Sequence, residues 1–131
     1  MKNLDINKYI LDIDVMDKHH KDFIEIFINL DFKNDETLMK DINSIILQTI
    51  THFSDEEELM EKYLYPRVTE HKEEHDKILY ELKYFYNKAN NPFGKKLLKS
   101  FCKERLPQWF EDHIISMDSD LAQVIKNKKM E

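Results

Sequence analysis

A single glycine, Gly94, stands among 131 residues, and only three prolines accompany it. Tight hairpins need residues that accept positive φ, and phosphate-cradling loops need several glycines in one stretch. The chain has material for neither. What remains is rich in Lys, Glu, Leu, Ile and Phe, with apolar positions recurring every three or four residues. That is the period of a helix with one buried face, so the expected fold is all-α.

Four segments carry this period. The first runs from about Asp14 or Asp17, either of which is placed to cap it, to about Leu30, with Met16, His20, Phe23, Phe27 and Leu30 inward. The second spans about Glu36 to Tyr63 and aligns Leu38, Ile42, Ile45, Thr49, His52, Glu56, Leu59 and Tyr63. After "LYPR", where Pro66 suits a first helical turn, a third aligns Val68, His71, His75, Ile78, Leu82 and Phe85. The link "NKANNPFG" holds the only glycine. A last region covers roughly Lys95 to Lys126, with Leu98, Phe101, Leu106, Phe110, His113, Met117, Leu121 and Val124 inward. Pro107 lies inside it, which predicts a kink or a fresh helix start there. Short links between four amphipathic helices predict an up-down-up-down antiparallel four-helix bundle in a single domain, residues 1–131.

Composition narrows the partners. Apolar residues at 41% and charged residues at 35% suit a soluble globular domain. A formal charge of -6 argues against nucleic acid, which wants a basic face. No stretch approaches the ~20 apolar residues of a membrane span. The start, "MKNLDINKYILDIDVMDKHH", has no uninterrupted apolar region of the signal-peptide kind. The lone Cys102, beside Leu97, Leu98 and Phe101, reads as a buried small hydrophobe, consistent with a reducing cytoplasm. A monomer is expected, with an oligomer left open.

Five of the six histidines (His20, His52, His71, His75 and His113) fall on stripes that should be core, and Glu56 falls there too. One such histidine is usually a core residue bonded to a nearby polar group. Here that explanation has to hold five times, on all four helices. An ionised Glu left in a bundle core costs several kcal/mol even after relaxation, against a net stability of roughly 5–15 kcal/mol. No Lys or Arg shares these stripes as a partner. A divalent metal resolves the conflict by supplying charge and occupying imidazole and carboxylate lone pairs together. A spacing of i, i+4 turns a side chain by only ~40°, so His52 with Glu56, and His71 with His75, can share a centre. Asp118 follows His113 by five residues, ~140° round an ideal helix. On spacing alone it is either a surface acid or a ligand brought in by a π-bulge.

Together "DKHHK", "HFSDEEELM", "YPRVTEHKEEH" and "WFEDHIISMD" resemble the hemerythrin family, of the single-domain bacterial type, over nearly the whole chain. The resemblance implies a non-haem di-iron centre inside the bundle. His71, His75 and His113 would hold one iron and His20 and His52 the other. Glu56 and Asp118 would bridge both, with an oxo or hydroxo group as third bridge. It further implies that molecular oxygen binds reversibly, as a hydroperoxide, at the iron with two histidines. The function expected is therefore oxygen storage, delivery or scavenging rather than enzymatic turnover. A redox or oxygen sensor module, or an enzyme acting on peroxide or nitric oxide, is the alternative.

The donor set agrees with that expectation. Seven protein donors cannot saturate two six-coordinate ions, and the set does not resemble tetrahedral zinc. The paired Glu-x-x-His motifs of carboxylate-rich di-iron bundles are absent. Phe23, Phe27, Phe53, Leu59, Trp109 and Ile114 lie within a turn of the proposed ligands, as core and as a dry wall around them. His19, ~100° round the helix from His20, is expected to be exposed or to stand behind a ligand. The acids of "SDEEELMEK" beyond Glu56 are read as a solvated face. Single-domain bacterial relatives commonly carry a tryptophan near the start. Here "NLDINKYILDID" offers only Tyr9, which leaves open how this arm covers the site.

Overall fold

The computed structural model describes residues 6–130, and no strand occurs among them. The chain is an up-down-up-down antiparallel four-helix bundle. A 3-10 turn, Ile6–Tyr9, precedes α1 (Asp14–Ile28), α2 (Asp35–Lys62) and α3 (Val68–Lys88). The fourth member is one long rod: α4 (Pro92–Ser100), a π-turn (Phe101–Arg105), α5 (Leu106–His113), a second π-turn (Ile114–Asp118) and α6 (Ser119–Lys129). Each helix packs on the next in sequence, as short links require. Among the described residues no helix is long and apolar enough to cross a membrane.

Helix boundaries follow local chemistry. Asn34 caps α2, its side chain accepting from the Thr37 N–H at 3.2 Å. Asn91 caps α4 in the same way, accepting from Gly94 N–H at 2.8 Å, with Pro92 at the first helical position. Neither Asp14 nor Asp17 caps α1. Ile13 holds that position without a side-chain bond, and Asp17 instead accepts the Leu11 N–H at 2.7 Å, which ties the preceding arm to the helix. Pro66 lies two residues ahead of α3 rather than in its first turn. The α2 end closes as a Schellman motif: Tyr65 N–H reaches Met60 O, Leu64 N–H reaches Glu61 O, and Leu64 takes a left-handed φ of 53°. Buried Tyr65 then packs in the same cluster as Met60.

Gly94 is not a turn residue. It sits in the first turn of α4, where an added Cβ would lie 1.9 Å from the Lys88 carbonyl oxygen. Glycine is required there for close approach, not for positive φ. At Pro107 the rod widens and continues: Leu106 N–H bonds to Phe101 O, closing the first π-turn just ahead of the proline.

The core forms two clusters. The larger contains Phe23, Ile42, Phe53, Leu82, Leu98 and Phe110; the smaller contains Met16, Met60, Tyr65, Leu121 and Ile125. On every helix the expected histidines and acids fall between residues of one cluster and residues of the other. The polar set is thus a layer across the bundle, nearer the end that carries the 63–67 link. Several stripe ends differ from expectation. Phe27, Leu30, Leu59, Tyr63, Phe85 and Val124 are only half-buried, whereas Ile24 and Met60 are fully inside. Tyr9 is buried against Phe110, ring centroids 5.7 Å apart, so the arm lies on the larger cluster through this aromatic. Residues 1–5 of the expected arm fall outside the described residues. Cys102 is fully buried, and burial pushes its thiol up to about 12.

Candidate metal centre

Seven side chains converge in this layer: His20 from α1, His52 and Glu56 from α2, His71 and His75 from α3, His113 from α5, and Asp118 from the second π-turn. None is more than 5% exposed. In a regular helix Met117 would continue the inward stripe. The π-turn at Ile114–Asp118 instead leaves Met117 half-buried and places Asp118 at 0% exposure.

The donor atoms fall into two groups that share both carboxylates. One contains Glu56, His71, His75, His113 and Asp118; the other contains His20, His52, Glu56 and Asp118. Each carboxylate divides its oxygens between them. Glu56 Oε1 faces His71 Nε2 at 2.6 Å and His75 Nε2 at 3.1 Å, while Oε2 faces His52 Nε2 at 3.0 Å. Asp118 Oδ1 faces His71 Nε2 at 3.1 Å and His113 Nε2 at 3.0 Å, while Oδ2 faces His20 Nε2 at 2.9 Å.

These residues fit metal ions. Adjacent octahedral donors, each about 2.1 Å from a common ion, stand about 3 Å apart, which matches the separations here. His113 Nε2 approaches Asp118 Oδ1 to 3.0 Å yet makes no hydrogen bond, so the pair is close without being aimed at one another. The tautomers point the same way. His75 donates from Nδ1 to Glu57 Oε2, and His113 from Nδ1 to Glu74 Oε1, both at 3.1 Å. In a neutral ring that leaves a lone pair on Nε2 facing carboxylate oxygen, an arrangement that needs a proton or a cation between them.

The electrostatics describe the same demand. Burial alone would push Glu56 up, but the surrounding His113, His52, His71 and His75 hold it well below the usual carboxylate range. Burial and the Glu56 charge raise Asp118, yet His113 and His20 bring it below its ordinary value. Burial lowers His113, but Asp118, Glu56 and Glu74 together lift it well above its ordinary value. His20 and His71 also rise, their carboxylate partners overcoming burial. His52 falls, because burial outweighs Glu56. The two buried carboxylates thus demand positive charge in this layer, which protons or metal ions can meet, and metal binding would compete with protonation.

Around this layer, Phe53 stacks on His75 (3.8 Å, 3°) and Trp109 on His113 (4.4 Å, 13°). Phe110 meets His20 edge-on at 5.9 Å and stacks on Phe23 at 4.2 Å. A cavity of about 20 Å³, bounded by Phe23, His52, Phe53, Trp109 and Phe110 among others, adjoins the two-histidine group. His19 is buried rather than exposed: its ring stacks on His52 (5.0 Å, 13°), and Nε2 pairs with Asp55 at 2.8 Å. It stands behind a candidate ligand. Glu57 is not simply solvated, since it holds His75, while Glu58 is exposed. Glu57 and Glu74 are the functional positions that sequence reasoning missed. Each adjoins a candidate ligand in sequence but serves a ring on the neighbouring helix, and no pattern within one helix reports that.

The family described as hemerythrin HHE cation binding domain matches the chain over residues 11–125. A bacteriohemerythrin from Aquifex aeolicus (strain VF5) is 28% identical over 115 residues, covering 82% of this chain and 86% of that protein. No solved structure matches the chain.

Proposed function

This chain belongs to the hemerythrin family, and on that premise we propose that it is a non-haem di-iron protein that binds molecular oxygen reversibly. His71, His75 and His113 would hold one iron and His20 and His52 the other, with Glu56 and Asp118 shared between them. The observation that carries this reading is the division of each buried carboxylate between the two histidine groups. Two ferrous ions held there would supply the electrons for reversible oxygen binding.

The residues of the chain do the rest by position. The three-histidine group offers five donors and the two-histidine group four, so an ion held by His20 and His52 would have the fewer protein ligands. The two-histidine group borders the small cavity between Phe23, Phe53 and Phe110, with His52 itself in the wall. Its walls are aromatic and aliphatic apart from Thr49 and His52, carry no carboxyl group, and keep water and stray protons away. Binding without turnover follows, in keeping with a carrier, store or scavenger rather than an enzyme. A monomer in the cytoplasm, with Cys102 reduced, completes the proposal.

The test is anaerobic loading with ferrous iron, an iron count, and a visible spectrum as oxygen is admitted and removed. Two irons per chain with a charge-transfer band that vanishes on deoxygenation supports the reading. Irreversible oxidation turns it toward redox sensing or enzymatic scavenging. Fewer than two irons, with zinc preferred, overturns the di-iron assignment.

A further inference from the structure

The two halves of the site are not supported alike. In the three-histidine half, two of three rings carry a carboxylate on Nδ1: Glu57 on His75 and Glu74 on His113. The same two rings are clamped by parallel aromatics, Phe53 and Trp109. In the two-histidine half, His20 Nδ1 carries no carboxylate, as His71 Nδ1 carries none in the other half. His52 is steadied by stacking on His19, with no carboxylate bond except that to Glu56.

A carboxylate on the far nitrogen fixes the ring's tautomer and orientation and raises its basicity as a ligand. Glu57 and Glu74 remain 29% and 40% exposed, so they reach inward from the surface rather than belonging to the buried layer. We propose that Glu57 and Glu74 are positioning residues that make the three-histidine half the tighter metal position. The chain fills that half first and empties it last, passing through a defined one-metal state. The two-histidine half, with four donors against five, is the one that loses metal. This ordering rests on the two-metal reading above.

The experiment is a cobalt(II) titration of the metal-free chain against a competing chelator, read by visible absorption and by proton NMR. Wild type is expected to bind in two resolved steps. At one equivalent, the Nδ1 protons of His75 and His113 should be hyperfine-shifted. Glu57→Ala and Glu74→Ala should each weaken the first step by about 10–100-fold. Glu57→Gln, which keeps an acceptor for the ring N–H, should recover most of that loss. Glu58→Ala removes the same charge from an exposed neighbour and should change the first step less than about twofold. Melting of each metal-free variant separates a folding defect from a lost ligand support, and the place of the first cobalt in wild type, read from the shifted Nδ1 protons, carries the test if an Ala variant fails to fold. The proposal is overturned if both Ala variants match wild type in the first step, or if the first cobalt lies at His20 and His52. A wild-type chain with no second step indicts the two-metal reading itself, and the ordering falls with it.

Discussion

The last rod widens twice, at Phe101–Arg105 and at Ile114–Asp118, and the two π-turns have different origins. The first ends one residue before the helix reaches Pro107, whose ring would press on a carbonyl one turn back and whose nitrogen donates nothing. It buries Phe101 and Cys102, both apolar. The second has no proline near it. Ser119 N–H reaches back to Ile114 O, and the turn buries Ile114 and Asp118. The same backbone device thus answers a steric demand in one place. In the other it brings a carboxylate to face His20, His71 and His113. A π-turn is stable when something outside the helix rewards the register it creates, and here the rewards are apolar packing and charge pairing respectively.

Substitutions in the two halves of the rod should separate these origins. Asp118→Ala removes one of the two shared carboxylates, and the expected result is loss of the second metal equivalent altogether, read by metal analysis after dialysis. A variant that still holds two ions would mean that the second π-turn serves packing alone. In the first π-turn, Cys102 should behave as part of a dry wall. With its thiol pushed up to about 12 from an ordinary 9.0, the fraction ionised at pH 8 is roughly a thousandfold below that of an exposed cysteine. The sign is clear: burial disfavours the thiolate, so alkylation should be slow below pH 12 and accelerate when urea opens the bundle. Rapid alkylation of the native chain would show that this half of the rod opens readily.

Gly94→Ala, at the start of the rod, forces a methyl against the Lys88 carbonyl. The expected cost is about 1–3 kcal/mol in urea unfolding, with metal stoichiometry unchanged because the clash lies far from the layer. A change in stoichiometry would join the two halves that the comparison separates. Pro107→Ala should have the smallest effect, within about 1 kcal/mol, because the π-turn already accommodates the missing donor. If metal binding shifts with Pro107→Ala, the first turn contributes to the register of the second.

Much of this was legible beforehand because helical periodicity is local. The stripes through Met16, Ile42, Ile78 and Leu98 follow from spacing alone, and spacing also turns His20, His52, Glu56, His71, His75 and His113 inward. The Pro107 irregularity was legible for the same reason, although its form, a widened turn in a continuous rod, was not. Gly94 misled, because a glycine beside Asn and Pro reads as a turn when the close approach it permits involves Lys88, already in another helix.

The sequence by itself determined the four amphipathic helices and which of their faces carry imidazole and carboxylate, since both depend on rotation within one helix. Only the tertiary structure decided how Asp118, which spacing left open and the family resemblance alone placed among the ligands, reaches His20, that Glu57 serves His75, and that Glu74 serves His113. Those contacts join residues 98, 18 and 39 positions apart, counted for His20 with Asp118, Glu57 with His75, and Glu74 with His113. Their energies arise between helices, so no rotation within a single helix can encode them.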